Sequence, residues 1–257
     1  MVDQTRWDLL ESIGHGVAAD GRFLAVLGTG SCGPEYARLD QWSDLDFFVV
    51  VKPEFATEAQ SSLSWLEAAA VPLWRFRYLP DAWKVLFDGD VFAEFGIVTT
   101  EHLATILYAP ARIVWAATEF DRSLATSRVS FPAAPAKSTE YWLNEAACQL
   151  FVALGRYLRG EILAAWERLH VEVLGAVVEL LRRDSTSTRG DPFSPRRRFE
   201  FLYPGVGPVV SAAFGSWNDF VAVAMQVLSA LETLGEIDPA VSAAIRRLAV
   251  VEPITPR

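Results

Sequence analysis

Leu27-Gly28-Thr29-Gly30-Ser31-Cys32-Gly33-Pro34 is followed, a dozen residues after Ser31, by Ser43-Asp44-Leu45-Asp46-Phe47. The apolar run Phe23–Leu27 leads into the first segment and reads as a buried strand ending in a glycine-rich turn. Such a turn lets backbone amides approach a phosphate closely, and Ser31 adds a hydroxyl donor. Leu45–Val51 reads as a second strand, β-branched and aromatic apart from one carboxylate. Asp44 and Asp46 are two residues apart in extended chain, so alternation turns both carboxylates to one face. Hard cations such as magnesium prefer paired carboxylate oxygens, and two such ions can organise an in-line displacement at phosphorus.

Outward from this segment the periodicity changes character once. Trp7, Leu10, Ile13 and Val17 have helical spacing over 5–18, and Asp20-Gly21 ends that helix. A helix is expected from Pro53 to about residue 70. Strands are expected over Leu73–Tyr78, Trp83–Phe87 and Val91–Val98, with Asp88-Gly89-Asp90 turning the last two into a hairpin. Thr99 and Thr100 would cap a helix reaching about Tyr108, and Arg112–Trp115 would add a short strand. Residues 121–137, with Pro132 and Pro135, read as a connector. Beyond it helices are expected over 141–159, 161–183, 208–234 and 239–248, with a polar stretch at 184–198. The fold class is therefore mixed α/β (α+β). A domain with a mixed sheet flanked by helices spans 1–125, and a helical bundle spans 138–257.

Gly30-Ser31 followed by Asp44-Leu45-Asp46 resembles the Gly-Ser…Asp-x-Asp signature of the polymerase-β-type nucleotidyltransferase superfamily. It departs from that pattern at Gly33-Pro34-Glu35-Tyr36, where small-x-Arg-Gly is usual. The size and the helical second half resemble the antibiotic nucleotidyltransferases, and Tyr157-Leu158-Arg159-Gly160-Glu161 before a long helix is similar to the lincosamide group. The resemblance implies that Gly30 and Ser31 hold the triphosphate of ATP or another NTP. It implies that Asp44 and Asp46 ligate Mg2+, with two ions expected. A third carboxylate on a neighbouring strand would be a metal ligand or the base, and Glu94 is the candidate. It is the one charge in Val91–Val98, a costly position unless paired with a metal or a cation. The implied reaction moves a nucleoside monophosphate onto a hydroxyl of a small molecule such as a lincosamide or aminoglycoside, releasing pyrophosphate. A nucleotidyltransferase acting on protein or RNA and a non-catalytic nucleotide-binding relative are the alternatives.

Other residues have simpler readings. An ion pair with Arg75 or Arg77 is the structural alternative for Glu94. Glu145 is a second candidate base in the helical domain. Glu167 and His170 on one helix, and Arg196-Arg197-Arg198 in the polar stretch, are weaker candidates for the acceptor pocket and the triphosphate. Asp88 and Asp90 belong to the turn. A net charge of −9 argues against nucleic acid as a partner and suits a cationic small substrate. Cys32 and Cys148 are read as free thiols. No segment is apolar enough to span a membrane, and Met1–Arg6 lacks the pattern of a secretory signal, so a cytoplasmic protein is expected. A homodimer is neither demanded nor excluded.

Overall fold

The computed structural model describes residues 2–67, 69–132, 137–184, 192–203, 207–215 and 219–253. The chain forms two compact units, Met1–Ala133 and Ala134–Arg257.

The first unit opens with α1 (Gln4–Ala19), whose first turn is capped by the Asp3 carboxylate accepting from the Arg6 amide. β1 (Phe23–Gly28) and β2 (Leu45–Val51) follow, then the short helices α2 (Ala56–Ser61) and α3 (Ser64–Glu67). The helix expected from Pro53 to residue 70 is thus broken. Ser62 is extended, and serine hydroxyls at 61 and 62 compete for backbone groups, the first donating to the Glu58 carbonyl and the second accepting from the Ser64 amide. β3 (Trp74–Leu79), β4 (Ala82–Phe87), β5 (Val91–Val98), α4 (Thr100–Leu103) and β6 (Arg112–Ala116) complete the unit. The expected hairpin around Asp88-Gly89-Asp90 is present, with Phe87 opposite Val91. The helix begun at Thr99 is shorter than its sequence suggests.

The six strands form one mixed sheet in the order β3-β4-β5-β2-β1-β6. Only β2 and β5 are parallel, and they stand at its centre. One face carries Leu45, Phe47 and Val49 of β2 with Ala93, Phe95 and Ile97 of β5, packed with Leu10, Ile13 and Val17 of α1. The other face is covered at one end by Leu103, Tyr108, Phe120 and Leu124, which meet Leu24, Leu27, Val50 and Val98. The Tyr108 hydroxyl donates to the Leu124 carbonyl and holds that cover in place. The 121–132 part of the expected connector therefore contributes to a core; 133–136 lie outside the described residues.

The second unit is helical: α5 (Thr139–Leu158), α6 (Ile162–Arg168), α7 (Leu174–Asp184), α8 (Phe199–Leu202), α9 (Gly207–Ala213), α10 (Phe220–Leu234) and α11 (Pro239–Leu248). Ser138 and Asp219 cap α5 and α10. Leu150 and Leu154 of α5 share a core with Val177 of α7 and Phe220, Val227 and Leu231 of α10. The helix expected over 161–183 is interrupted by a single π-helical turn, Leu169–Val173. The helix expected over 208–234 is seen as α9 and α10, with 216–218 outside the described residues, as are 185–191 of the polar stretch. Among the described residues no helix is long and apolar enough to cross a membrane.

Two outcomes follow. Phe95 is buried, stacked on Phe47 at 4.7 Å between ring centroids and edge-on to Trp65 at 5.9 Å. Phe95→Ala should destabilise the first unit by about 3–5 kcal/mol, read by denaturant-dependent amide exchange along β5. Cys32 is buried and Cys148 exposed, and burial pushes the Cys32 thiol up to about 11. A thiol reagent at neutral pH should modify Cys148 in the folded chain and reach Cys32 only on unfolding, as counted by peptide mass.

Candidate functional site

β1 ends at Gly28, opposite Phe47 of β2, and the chain turns at once. The Thr29 amide donates to the Asp46 carbonyl at 2.8 Å, continuing the strand pairing into the turn. Gly30 then takes φ +56, in the left-handed region that glycine tolerates. A Cβ there would lie 2.9 Å from the Asp46 Oδ2 atom, so the turn backbone is seated directly against that carboxylate. Gly30–Cys32 form a single 3-10 turn, and no longer helix follows. Gly33 precedes Pro34, and the residue before a proline is driven out of the helical region. Within the turn the Cys32 amide donates to the Thr29 carbonyl and the Gly33 amide to the Gly30 carbonyl.

Ser31 is buried, and its hydroxyl donates to the Asp44 carbonyl at 3.2 Å. The serine therefore fastens the turn to the residue that begins the acidic pair. From the other side Arg6 of α1, itself buried, donates through Nε to the Ser43 carbonyl at 2.7 Å. Arg112 at the start of β6 donates through Nε to the Cys32 carbonyl at 3.2 Å and pairs with Glu11 at 2.9 Å. Its guanidinium lies 4.2 Å from the Trp7 ring centroid, a cation–π contact. Sequence reading had not singled out Arg6 or Arg112; a lone arginine opening the apolar strand Arg112–Ala116 was the available signal for the second.

Asp46 stands in register with Glu94 across the parallel β2–β5 pair. Across the antiparallel β4–β5 pair Glu94 stands opposite Lys84. These side chains share one face, at the end that the Leu103–Tyr108 cover does not reach. Glu94 is not paired with Arg75 or Arg77, the partners its sequence suggested. Arg75 is bound to Glu67, and Arg77 donates to the Pro80 carbonyl. The partner of Glu94 is Lys84, with Nζ 3.2 Å from Oε2, while the Tyr78 hydroxyl donates to Oε1 at 2.6 Å. Burial, and after it the Glu94 hydrogen bond and the charges of Glu94, Asp46 and Asp81, push the Tyr78 phenol well above its ordinary value. Tyr78 is thus a fixed donor. The hairpin register made Lys84 findable, because pairing Phe87 with Val91 sets Lys84 opposite Glu94.

The structure thus sets Asp46 and Glu94 in register in one sheet, with Gly30, Ser31 and Asp44 in the segments that adjoin Asp46. Among the described residues, however, no three His, Cys, Asp or Glu side chains are gathered tightly enough to hold a metal ion as they stand. The oxygen-only donor chemistry of Asp44 and Asp46 suits a hard cation, and glycine at position 30 leaves space beside Asp46 that a side chain would fill. Glu94 itself is paired with the Lys84 ammonium.

The helical candidates are placed separately. Glu145 accepts from the Gln149 amide at 2.7 Å and lines a cavity of about 460 Å3 within the helical unit, with Trp142, Glu172, Glu179, Phe193 and Arg196 among its other walls. Arg196 donates to the Val171 carbonyl at 2.6 Å, in the π-helical turn. His170 is stacked between Trp166 and Phe214, at 5.3 and 4.8 Å, and bonds the Ala213 carbonyl through Nε2. That is a packing role. Glu167 is exposed.

No family model and no curated protein matches the sequence. Among solved structures, the chain is similar to an aminoglycoside 6-adenyltransferase from Bacillus subtilis, with 11% identity over 92% of this chain and 89% of that one, at a TM-score of 0.33. So distant a likeness decides neither fold nor chemistry.

Proposed function

We propose that the chain is a nucleotidyltransferase that moves a nucleoside monophosphate, AMP from ATP in the first instance, onto a hydroxyl of a small molecule. The observation that carries this reading is the bonding of the Gly30-Ser31 turn to the Asp44-Leu45-Asp46 segment, with Glu94 in register beside it. Amides of the turn would bind the triphosphate. Asp44 and Asp46 would hold Mg2+, which when bound neutralises charge on the phosphate oxygens. The acceptor oxygen forms its bond to the α-phosphorus as the bond from that phosphorus to the β-phosphate oxygen breaks, and pyrophosphate leaves. The acceptor proton would pass to a carboxylate, the role proposed for Glu94, which stands in register with Asp46. The acidic charge of the chain and the carboxylates and aromatic rings around the helical-unit cavity support an amine-bearing acceptor, the class to which aminoglycosides and lincosamides belong.

One observation favours a second reading, a nucleotide-binding protein without turnover: Lys84 and Tyr78 already occupy Glu94. Incubation with Mg2+, ATP labelled at the α-phosphate and a panel of aminoglycosides and lincosamides separates the two. Label transfer to a panel member is expected, and Asp46→Asn should lower its rate by about 10²–10³. ATP binding with no transfer to any acceptor would support the second reading, and transfer undiminished in Asp46→Asn would remove the assigned metal site. Gly30→Ala places a side chain at positive φ and against Asp46, so it should cost about 1–2 kcal/mol of stability and weaken ATP binding measured by calorimetry.

A further inference from the structure

We propose that the exposed rings of Trp74 and Phe76, with Leu86 and Phe92 beside them, form an acceptor subsite on the face that carries Glu94, and that it takes a molecule of linked saturated rings bearing amines and hydroxyls. This rests on the preceding reading of the chain as a nucleotidyltransferase with the triphosphate at the Gly30-Ser31 turn.

These side chains stand in two rows of register partners. Phe76, Lys84 and Glu94 follow one another across β3, β4 and β5, and Trp74, Leu86 and Phe92 form the next row on the same face. Trp74 and Phe76 lie 6.1 Å apart between ring centroids and are 49% and 52% exposed. Leu86 and Phe92 are only partly buried. Their strand neighbours Val85, Phe87, Val91 and Ala93 alternate to the other face and are buried in its core. Single apolar side chains on a surface are ordinary, whereas a contiguous apolar patch rimmed by polar groups marks a place where something binds.

In-line displacement puts the attacking and leaving oxygens on opposite sides of the phosphorus. The turn after β1 lies two strands from β5 on one side, and β3 lies two strands from it on the other. With pyrophosphate leaving at the turn, the acceptor arrives from the β3 side. At ~4.8 Å between strands, the Trp74–Phe76 pair is roughly 10 Å from Glu94 in that direction. An acceptor with one ring's hydroxyl at Glu94 therefore sets a second, linked ring on the aromatic pair. The C–H face of a saturated ring packs on such rings, and an attached ammonium is attracted by their π faces. Glu94 borders the patch at one end, and Asp88 and Asp90 stand exposed in the hairpin turn at the other, a charge distribution that suits amines. A second copy added edge to edge about Phe76 would instead set Arg75 opposite Arg77, a like-charge pairing that disfavours it.

The test is steady-state transfer of label from α-labelled ATP by the full-length chain, with the member of the aminoglycoside and lincosamide panel that accepts it best. Circular dichroism checks that each variant folds. Trp74→Ala and Phe76→Ala should each raise the KM for the acceptor about tenfold with the KM for ATP unmoved, and Trp74→Phe should recover most of the loss. An acceptor KM unchanged in folded Trp74→Ala and Phe76→Ala, or a rise in the KM for ATP instead, overturns the inference and leaves nucleotidyl transfer standing. A wild-type dimer in analytical ultracentrifugation that Trp74→Ala dissociates gives the patch to a second copy and overturns it as well. If wild type transfers label to no panel member, the transferase reading fails, and the inference with it.

Discussion

The arrangement of the candidate site depends on two hydrogen bonds that join the turn after β1 to the beginning of β2. The Thr29 amide reaches the Asp46 carbonyl and the Ser31 hydroxyl reaches the Asp44 carbonyl. Both use backbone carbonyls of the acidic residues, which leaves the carboxylates to other partners. Because β1 and β2 are central, buried strands, the turn inherits their rigidity. Arg6 and Arg112 extend the same principle from α1 and β6, each donating to a carbonyl of the loop that it supports. A charged hydrogen bond to a partly buried carbonyl is worth roughly 1.5–3 kcal/mol, enough to hold a loop whose own regular structure is limited to short 3-10 turns.

Much of this was legible in the sequence because it rests on local rules. Alternation in Leu45–Val51 and Val91–Val98 gave the strands and the face of each carboxylate, and the Asp-Gly turn gave the β4–β5 hairpin. The parallel β2–β5 pairing joins strands far apart in sequence, and no short-range signal specifies it; the resemblance, not the periodicity, suggested that Glu94 lay near Asp46. Long helical patterns were harder to divide. The break at Ser62 comes with serine hydroxyls bonded to backbone groups, and the π-helical turn at Leu169–Val173 with the Arg196 guanidinium on the Val171 carbonyl, neither of which hydrophobic period registers. His170 illustrates the same limit. A histidine on a helix reads as a candidate ligand until the rings of Trp166 and Phe214 are seen on either side.

Ser31 and Glu94 show how a residue type can be found and its job misjudged. Serine in a glycine-rich turn suggests a phosphate contact, but here the hydroxyl is buried and donates to the Asp44 carbonyl. Glutamate in an apolar strand was expected to need a compensating charge, and it has one. The mistake lay in looking to β3, where Arg75 and Arg77 alternate with Trp74 and Phe76. Those arginines point to the opposite side of β3 from Phe76 and Tyr78, so alternation excludes them and leaves the opposite member of the hairpin, Lys84.

Covering of the sheet also explains why the acidic pair sits where it does along β2. On the face that carries Asp46, the next alternate residues are Phe48 and Val50, and these meet the cover made by Leu103, Tyr108, Phe120 and Leu124. Phe48 lies edge-on to Tyr108 at 5.5 Å, and Val50 is fully buried. A carboxylate moved two or four residues along the strand would enter that core and lose its water without a partner, which proteins resolve by protonating the group or not folding around it. Only the first residues of β2 leave this face open while retaining the backbone order of a central strand. The same boundary crosses β5 between Glu94, which is partly exposed beside Lys84, and Val98, which is buried. Along β2 and β5 the carboxylates are therefore confined to one end of one face, and the turn after β1 is the loop that the antiparallel β1–β2 pairing delivers to that end.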